Sequence, residues 1–491
     1  MNVISLKKIL QFRKSTLARN SFWGIAANGI QSVLMSLFYI ILARKYPTED
    51  FSYFMIANSI YLFLAAISNL GLGQWFTREI VADPEHKEIV NKFLKLQLYA
   101  GIGFYVINFI LAFFLYNNRE ICLLIILFGI NIIFDNLIYA IKALNVATFD
   151  QNTTFKILIA DTVLKFLLVC PVLFYPFSIL ILTAGLVAIR FLTLNLFLIY
   201  GSKKAVNLRL LLKYKISRAE VKNIILKNWP FLVISSVSIV YWRLGNLIIS
   251  KTLTLLDVAI YEISFRLFSV AQVLPIIIAS TLYPHLIQMF QAKDAGAFRA
   301  FYKKYFYLFL IYGLFTYSFV YSFSDQIIPF VFGERYATTP LYTKQMFLTI
   351  LLFPTAIYQA MVLTSMRLER KDMMINLISL AVSVVAMATG LMFSKSLTVI
   401  NYAIFISFIV FHVCQDIVLI RRDVTSVRNV LQFYFIILVF VMVYILMSSR
   451  TYPAVLFVAV WSLVVAGIGV DQWIKSIGRT TALKEDKLNA R

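Results

Sequence analysis

Four basic side chains, Lys165, Arg190, Arg243 and Arg266, fall inside stretches otherwise apolar enough to cross a bilayer. Each costs roughly 2.5–3.5 kcal/mol at a helix centre on insertion scales, and the four together cost on the order of 10 kcal/mol. Charges at that depth are expected to face a wet cavity and to hold something anionic there. A phosphate or pyrophosphate is the natural ligand for such a set. The planar fork of arginine binds two phosphate oxygens at once and keeps its proton.

The acids nearby decide how many of these cations are free. Glu262 stands four residues before Arg266, and Asp161 four residues before Lys165, so each pair shares a helix face. Two roles are open to each pair: mutual neutralisation within the helix, or a cavity cation beside a carboxylate that takes a coupling ion. Arg190 and Arg243 have no acid at helical spacing. Arg243 is therefore expected to line a cavity, and Arg190 either to line it or to snorkel toward the interface. Asp135 shares a face with Asn131, and Glu262, Asp135 and Asp161 are the candidates for ion coupling. Asn28, Gln31, Asn58 and Asn246 are expected to give the cavity polar walls. His412 and Asp416, close to Arg421 and Arg422, read as an interfacial cluster at a helix end.

Other chemistry is excluded by what is missing. The sequence has no Walker A, HExxH, GxSxG or GxGxxG pattern, so nothing argues for an enzyme. Its three cysteines and three histidines are scattered and form no ligand set, so no metal and no cofactor are expected.

The elements that must position these residues are membrane helices. Of 491 residues, 61% are hydrophobic and only 14% charged, with a mean hydropathy of +0.82. The apolar residues fall in runs of about twenty, the length that spans a bilayer. Fourteen spans are expected, near 20–42, 52–74, 97–116, 121–141, 157–175, 177–200, 230–250, 258–282, 305–323, 345–366, 375–394, 398–420, 430–448 and 454–474. The first follows Lys7, Lys8, Arg13, Lys14 and Arg19 and is too long for a cleaved signal segment.

Of the 46 Lys and Arg residues, 34 fall in the N-terminus, the even-numbered loops and the C-terminus, and only 8 in the odd loops. The positive-inside rule then places both termini in the cytoplasm. It also accounts for the net charge of +23 without nucleic acid. The most basic loop, 201–229, has apolar residues at helical spacing and is expected to lie on the inner leaflet against anionic lipid. It separates an N-lobe (1–200, helices one to six) from a C-lobe (230–423, helices seven to twelve). Residues 424–491 hold helices thirteen and fourteen and a cytoplasmic tail. An offset of 207 residues lays Ile41-Leu42-Ala43-Arg44 over Ile248-Ile249-Ser250-Lys251 and Asp50 over Asp257. Such repeats are common in transporters, with the substrate between the halves. The odd loops are short, and the longest is expected over Ser324–Lys344.

Several stretches resemble a known family. Asn20-Ser21-Phe22-Trp23-Gly24, Leu42-Ala43-Arg44, Phe51-Ser52-Tyr53 and Asn69-Leu70-Gly71-Leu72-Gly73 resemble the start of polysaccharide export proteins. Arg243-Leu244-Gly245-Asn246, Ala259-Ile260-Tyr261, Phe265-Arg266-Leu267 and Leu282-Tyr283-Pro284 resemble their second half, with Asn246 where Asp is usual and Ala259 where Gly is common. The resemblance, loose in each motif, covers the whole chain. It is to the O-antigen and capsule repeat-unit flippases of Wzx type, in the superfamily that includes MATE exporters and the lipid II flippase. It implies an all-α polytopic fold, with two pseudo-symmetric six-helix lobes around a central cavity and two added C-terminal helices. It further implies alternating access in the bacterial inner membrane and an undecaprenyl-pyrophosphate-linked oligosaccharide as substrate. Membrane lipids and other polysaccharide-assembly membrane proteins are the implied partners. Arg243, Arg266, Lys165 and Arg190 are the positions able to meet the pyrophosphate.

Three other classes fit the sequence less well. A MATE-like cation or drug exporter wants acids in its cavity. A polysaccharide polymerase or ligase wants a large outer loop. A scaffold with internal salt bridges leaves an unpaired Arg243 without purpose.

Overall fold

The computed structural model describes residues 16–82, 87–148, 150–201, 216–449 and 452–466. Among these residues the chain is helical with no strand. The first half holds α1 (Thr16–Lys45), α2 (Thr48–Ser68), α3 (Gly73–Ala82), α4 (Lys87–Leu115), α5 (Arg119–Ala147), α6 (Gln151–Val169) and α7 (Ile179–Leu196). The second holds α8 (Arg218–Thr252), α9 (Leu255–Gln291), α10 (Ala295–Phe332), α11 (Thr339–Met346), α12 (Phe353–Ser365), α13 (Glu369–Phe393) and α14 (Leu397–Arg421). Then come α15 (Val427–Ser448) and α16 (Pro453–Ala466). Each of the fourteen expected spans overlaps a helix, α11 and α12 forming one broken span and α3 following α2; of the last span, residues 467–474 lie outside the described residues. Among the described residues, ten helices are long and apolar enough to cross a membrane by themselves. α6 carries an exposed Lys156 and, deeper in its 19 residues, Asp161 and Lys165, whose charges depend on its neighbours for cover.

Helix starts follow local chemistry. Thr254 and Asp257 form a reciprocal capping box at the start of α9, and Ser217 and Glu220 form one at the start of α8. Asn118 caps α5, Ser396 caps α14 and Ser426 caps α15. The repeat offset of 207 residues carries the end of α1, Lys45, onto the end of α8, Thr252. It also carries the start of α2, Thr48, onto the start of α9, Leu255.

Two expectations about loops need correction. The outer loop expected over Ser324–Lys344 is mostly helix: α10 runs to Phe332, and only a short turn with Glu334–Tyr336 precedes α11. Pro329 lies inside α10, at its last turn, where few backbone bonds remain to be lost. The expected linker over 201–229 is also shorter, because its second part from Arg218 is the first turns of α8. The rest of it, residues 202–215, lies outside the described residues.

In the first half α5 packs among α2, α3, α4 and α7, and α1 lies along α6. In the second, α9 lies against α11 and α12, and α13 along α14. The halves meet where α2 lies against α8 and α9, and where α1 touches α9 and α10. The end away from the basic loops is closed. There Ser52 Oγ donates to the Leu255 carbonyl at 2.7 Å, Tyr116 and Ser250 hydroxyls lie 2.6 Å apart, and Arg335 donates to the Ala43 carbonyl. Toward the basic end the α1–α9 seam opens into a cavity.

Candidate functional site

α8 and α9 form a hairpin, so residues at similar distances from its turn come together. Arg243, nine residues before Thr252, thus meets Glu262, seven after Leu255, with Nη1 3.2 Å from Oε1. Glu262 is fully buried and also accepts from Asn246 and, at 3.3 Å, from Ser59 of α2. Its other oxygen lies 3.7 Å from Arg266 Nη2. Arg243 therefore has an acid partner on the neighbouring helix, where the sequence showed none on its own. It is 9% exposed and packs over the Phe265 ring, which makes it a support for Glu262 more than a wall of the cavity.

Arg266 differs. Its guanidinium carbon lies 3.5 Å from the centre of the Tyr39 ring on α1. Its Nε and Nη2 are buried and have no hydrogen-bond partner. Beside it is a cavity of about 250 Å³ lined by Gln31, Ser32, Met35, Ser36 and Tyr39 of α1 and by Ser269 and Val270 of α9. Gln31 Nε2 is another buried donor without a partner. A buried polar group left unbonded costs about 1–3 kcal/mol. Three buried donors without a hydrogen bond beside one cavity make a place for an acceptor.

The first half supplies a second pole. Asp161 on α6 holds Lys165 at 2.7 Å, Arg190 Nη1 of α7 at 3.4 Å and the Thr193 hydroxyl at 2.7 Å. Asp135 on α5 binds Arg190 again and accepts from Tyr61 of α2. Arg190 thus does not snorkel; two carboxylates fix it. Lys165, Arg190, Asn58 and Asn131 border a space of about 70 Å³ that shares Met35 and Tyr39 with the Arg266 cavity. Asn58 Nδ2 and Asn131 Oδ1 are buried there without partners. The side chain of Asn28 lies outside the described residues.

In the first half Lys142 of α5 lies near Arg190 and Asp135, so Lys142, Lys165 and Arg190 against Asp135 and Asp161 leave one positive charge. In the second half Arg243 and Arg266 against Glu262 also leave one. The repeat offset carries Ser36 onto Arg243 and Ser59 onto Arg266.

Sequence reasoning missed Tyr39, Tyr61 and Thr193. The first two were within reach: Gln31, Met35 and Tyr39 recur every four residues on α1, and Tyr61 stands three after Asn58 on α2. The pairing of His412 with Asp416 also differs from expectation. Both are almost wholly buried, not interfacial.

The model of a family described as polysaccharide biosynthesis protein matches residues 17–290. No curated relative matches the sequence. Among solved structures, the lipid II flippase MurJ in an inward closed conformation superposes with a TM-score of 0.68 at 12% identity, over 92% of this chain and 99% of that one. An inward-facing multidrug resistance MATE transporter of the MOP superfamily gives 0.63 at 12% identity, over 81% and 96%. A MOP superfamily transporter from Pyrococcus furiosus, titled as having a binding pocket of reverse polarity, gives 0.57 at 14% identity, over 82% and 95%. At such identities the likeness shows the fold: two six-helix lobes with helices added after them.

Proposed function

We propose, on the premise that this chain belongs to the polysaccharide biosynthesis protein family, that it flips undecaprenyl-pyrophosphate-linked oligosaccharide repeat units. Family and fold make it a multi-pass membrane protein of the transporter and flippase class, not an enzyme. The finer reading is ours. The units pass from the inner to the outer leaflet of the bacterial plasma membrane by alternating access, driven by an ion gradient, and feed O-antigen or capsule assembly. Both termini are cytoplasmic, and other polysaccharide-assembly membrane proteins work beside it.

One observation carries this reading. Arg266 lines a cavity between α1 and α9, two of its buried guanidinium nitrogens lack a hydrogen bond, and the group around it has one excess positive charge. Desolvated arginine donors of this kind select phosphate oxygens. The space is smaller than the ~300–1,000 Å³ of ordinary ligand pockets. In this outward-sealed conformation it suits the diphosphate head of a lipid-linked glycan, with the sugars toward the basic end. Lys165 and Arg190 form the wall a second anionic group meets. Arg243 and Asn246 hold Glu262, and Gln31 and Asn58 offer further donors.

A cation or drug exporter is the competing reading, since the fold is shared with MATE transporters. It needs a carboxylate open to the cavity. Glu262, Asp161 and Asp135 are each engaged by an arginine instead. A polymerase or ligase is disfavoured by the short turn between α10 and α11. Deletion of the gene tests the proposal. Surface polysaccharide should vanish while lipid-linked units accumulate inside. Normal surface glycan in the deletion strain rejects the function.

A further inference from the structure

A second polar cluster lies away from the central cavity, within the second half. His412 and Asp416, one turn apart on α14, are 0% and 2% exposed, and the ring Nδ1 lies 2.9 Å from Asp416 Oδ2. At ~1.5 Å per residue, His412 sits about 14 Å inside the Arg421 end of its helix. Tyr434 of α15 donates to the same carboxylate oxygen at 3.0 Å, and Gln359 of α12 donates to the other at 2.7 Å. Gln359 also reaches the Tyr302 hydroxyl of α10 at 3.1 Å. On α13, Asp372 is bound to Gln415, the neighbour of Asp416, at 3.3 Å. Among the described residues, no lysine or arginine pairs with Asp416, and the only cationic partner within reach is the His412 ring.

That sets this pair apart from the other buried acids. Asp161 and Glu262 are held by lysine or arginine, which keep their charge. Histidine is the side chain that gains and loses charge near neutrality. The ring's second nitrogen shows which form the site accommodates. Nε2 lies 3.0 Å from Thr355 Oγ1, whose own hydroxyl proton goes to the Leu352 carbonyl at 2.8 Å. Both ring nitrogens therefore face acceptors, the arrangement a doubly protonated imidazole satisfies. A cavity of about 350 Å³ between α10, α14 and the first turn of α15 reaches Asp416 and Tyr302. Arg299, Lys303 and Asp423 line it at the basic end.

We propose that His412 and Asp416 form a proton-binding site, loaded in this conformation and reached from the basic end through that cavity. Loading adds one proton from bulk to Nε2 of the neutral ring, and the His412–Asp416 pair goes from a net charge of minus one to zero. The Thr355 hydroxyl, which donates to Nε2 in the empty state, turns to the Leu352 carbonyl as the proton arrives. Only the use of this proton to drive transport rests on the flippase reading; its binding does not.

The test uses full-length protein in lipid nanodiscs at neutral pH without substrate, labelled with ¹⁵N at its three histidines, His86, His285 and His412. H412Q identifies the His412 signals by removing them, and T355S identifies them by shifting that pair alone if H412Q does not fold. We expect both His412 nitrogens to be protonated in the parent protein, and one to become unprotonated in D416N. A neutral His412 ring in the parent overturns the proposal, as does a ring unchanged in D416N. A ring signal that shifts when choline replaces sodium marks a metal-cation site and also overturns it. Because no substrate is present, these results stand apart from any loss of glycan export.

Discussion

The guanidinium of Arg266 lies over the ring of Tyr39, its carbon 3.5 Å from the ring centre, and so joins α9 of one half to α1 of the other. The contact sits where the closed part of the seam ends and the cavity begins. A phosphate at Nε or Nη2 of Arg266 displaces no hydrogen bond, and at Nη2 it meets the ion pair with Glu262 at 3.7 Å. Binding and seam closure thus share one side chain.

Tyr39→Phe should keep export, because the ring face remains, and Tyr39→Ala should reduce it. An exposed to desolvated cation–π contact is worth about 0.5–2 kcal/mol, a few-fold to some thirty-fold in an equilibrium. Surface glycan in a complemented deletion strain measures this. Equal export from the two variants removes the ring from the account.

Arg243→Ala should destabilise the fold by about 3–5 kcal/mol, since it strips a buried carboxylate of a close partner. Arg243→Ala combined with Glu262→Gln should recover much of that loss. Thermal unfolding in detergent reads both. A single variant as stable as the parent shows that Arg243 is not a support for Glu262.

Asp161→Asn should be among the most damaging changes in the first half, because Lys165, Arg190 and Thr193 all depend on Asp161. Adding Lys165→Met removes the stranded ammonium, and replacement of buried ion pairs by apolar side chains is often neutral or stabilising. The double variant should fold better than Asp161→Asn alone. A double variant less stable than either single change contradicts the role of Lys165 as the partner of Asp161.

Gly313 of α10 packs against the break between α11 and α12, where an added Cβ lies 2.9 Å from the Ile350 carbonyl oxygen. Backbone cannot yield as a side-chain tip does. Gly313→Ala should cost about 1–3 kcal/mol through overpacking. An unfolding temperature equal to the parent's shows that this contact is slack.

How much of this was legible in the sequence depends on which distances a sequence encodes. Helix number, the 207-residue repeat and the pairs Asp161–Lys165 and Glu262–Arg266 are local or periodic, and all appear in the structure. Arg243 looked free because spacing along one helix reports partners on that helix only. Glu262 lies across a hairpin turn, and only the depth of both residues from that turn brings them together. Arg190 depends on Asp135 and Asp161 from two other helices, 55 and 29 residues away, which no periodicity reveals. His412 and Asp416 read as interfacial in the sequence because Arg421 and Arg422 follow them. Their burial comes from α10, α12 and α15 closing around that face, a matter of packing between distant segments.

The most direct measurement is translocation of an undecaprenyl-pyrophosphate-linked oligosaccharide in proteoliposomes by the parent protein, Arg266→Ala and Arg266→Lys, each first shown to be folded and inserted. The free guanidinium predicts that Arg266→Ala loses at least tenfold in rate and that Arg266→Lys keeps part of it. Arg266→Ala flipping at the parent rate contradicts a phosphate held at that residue.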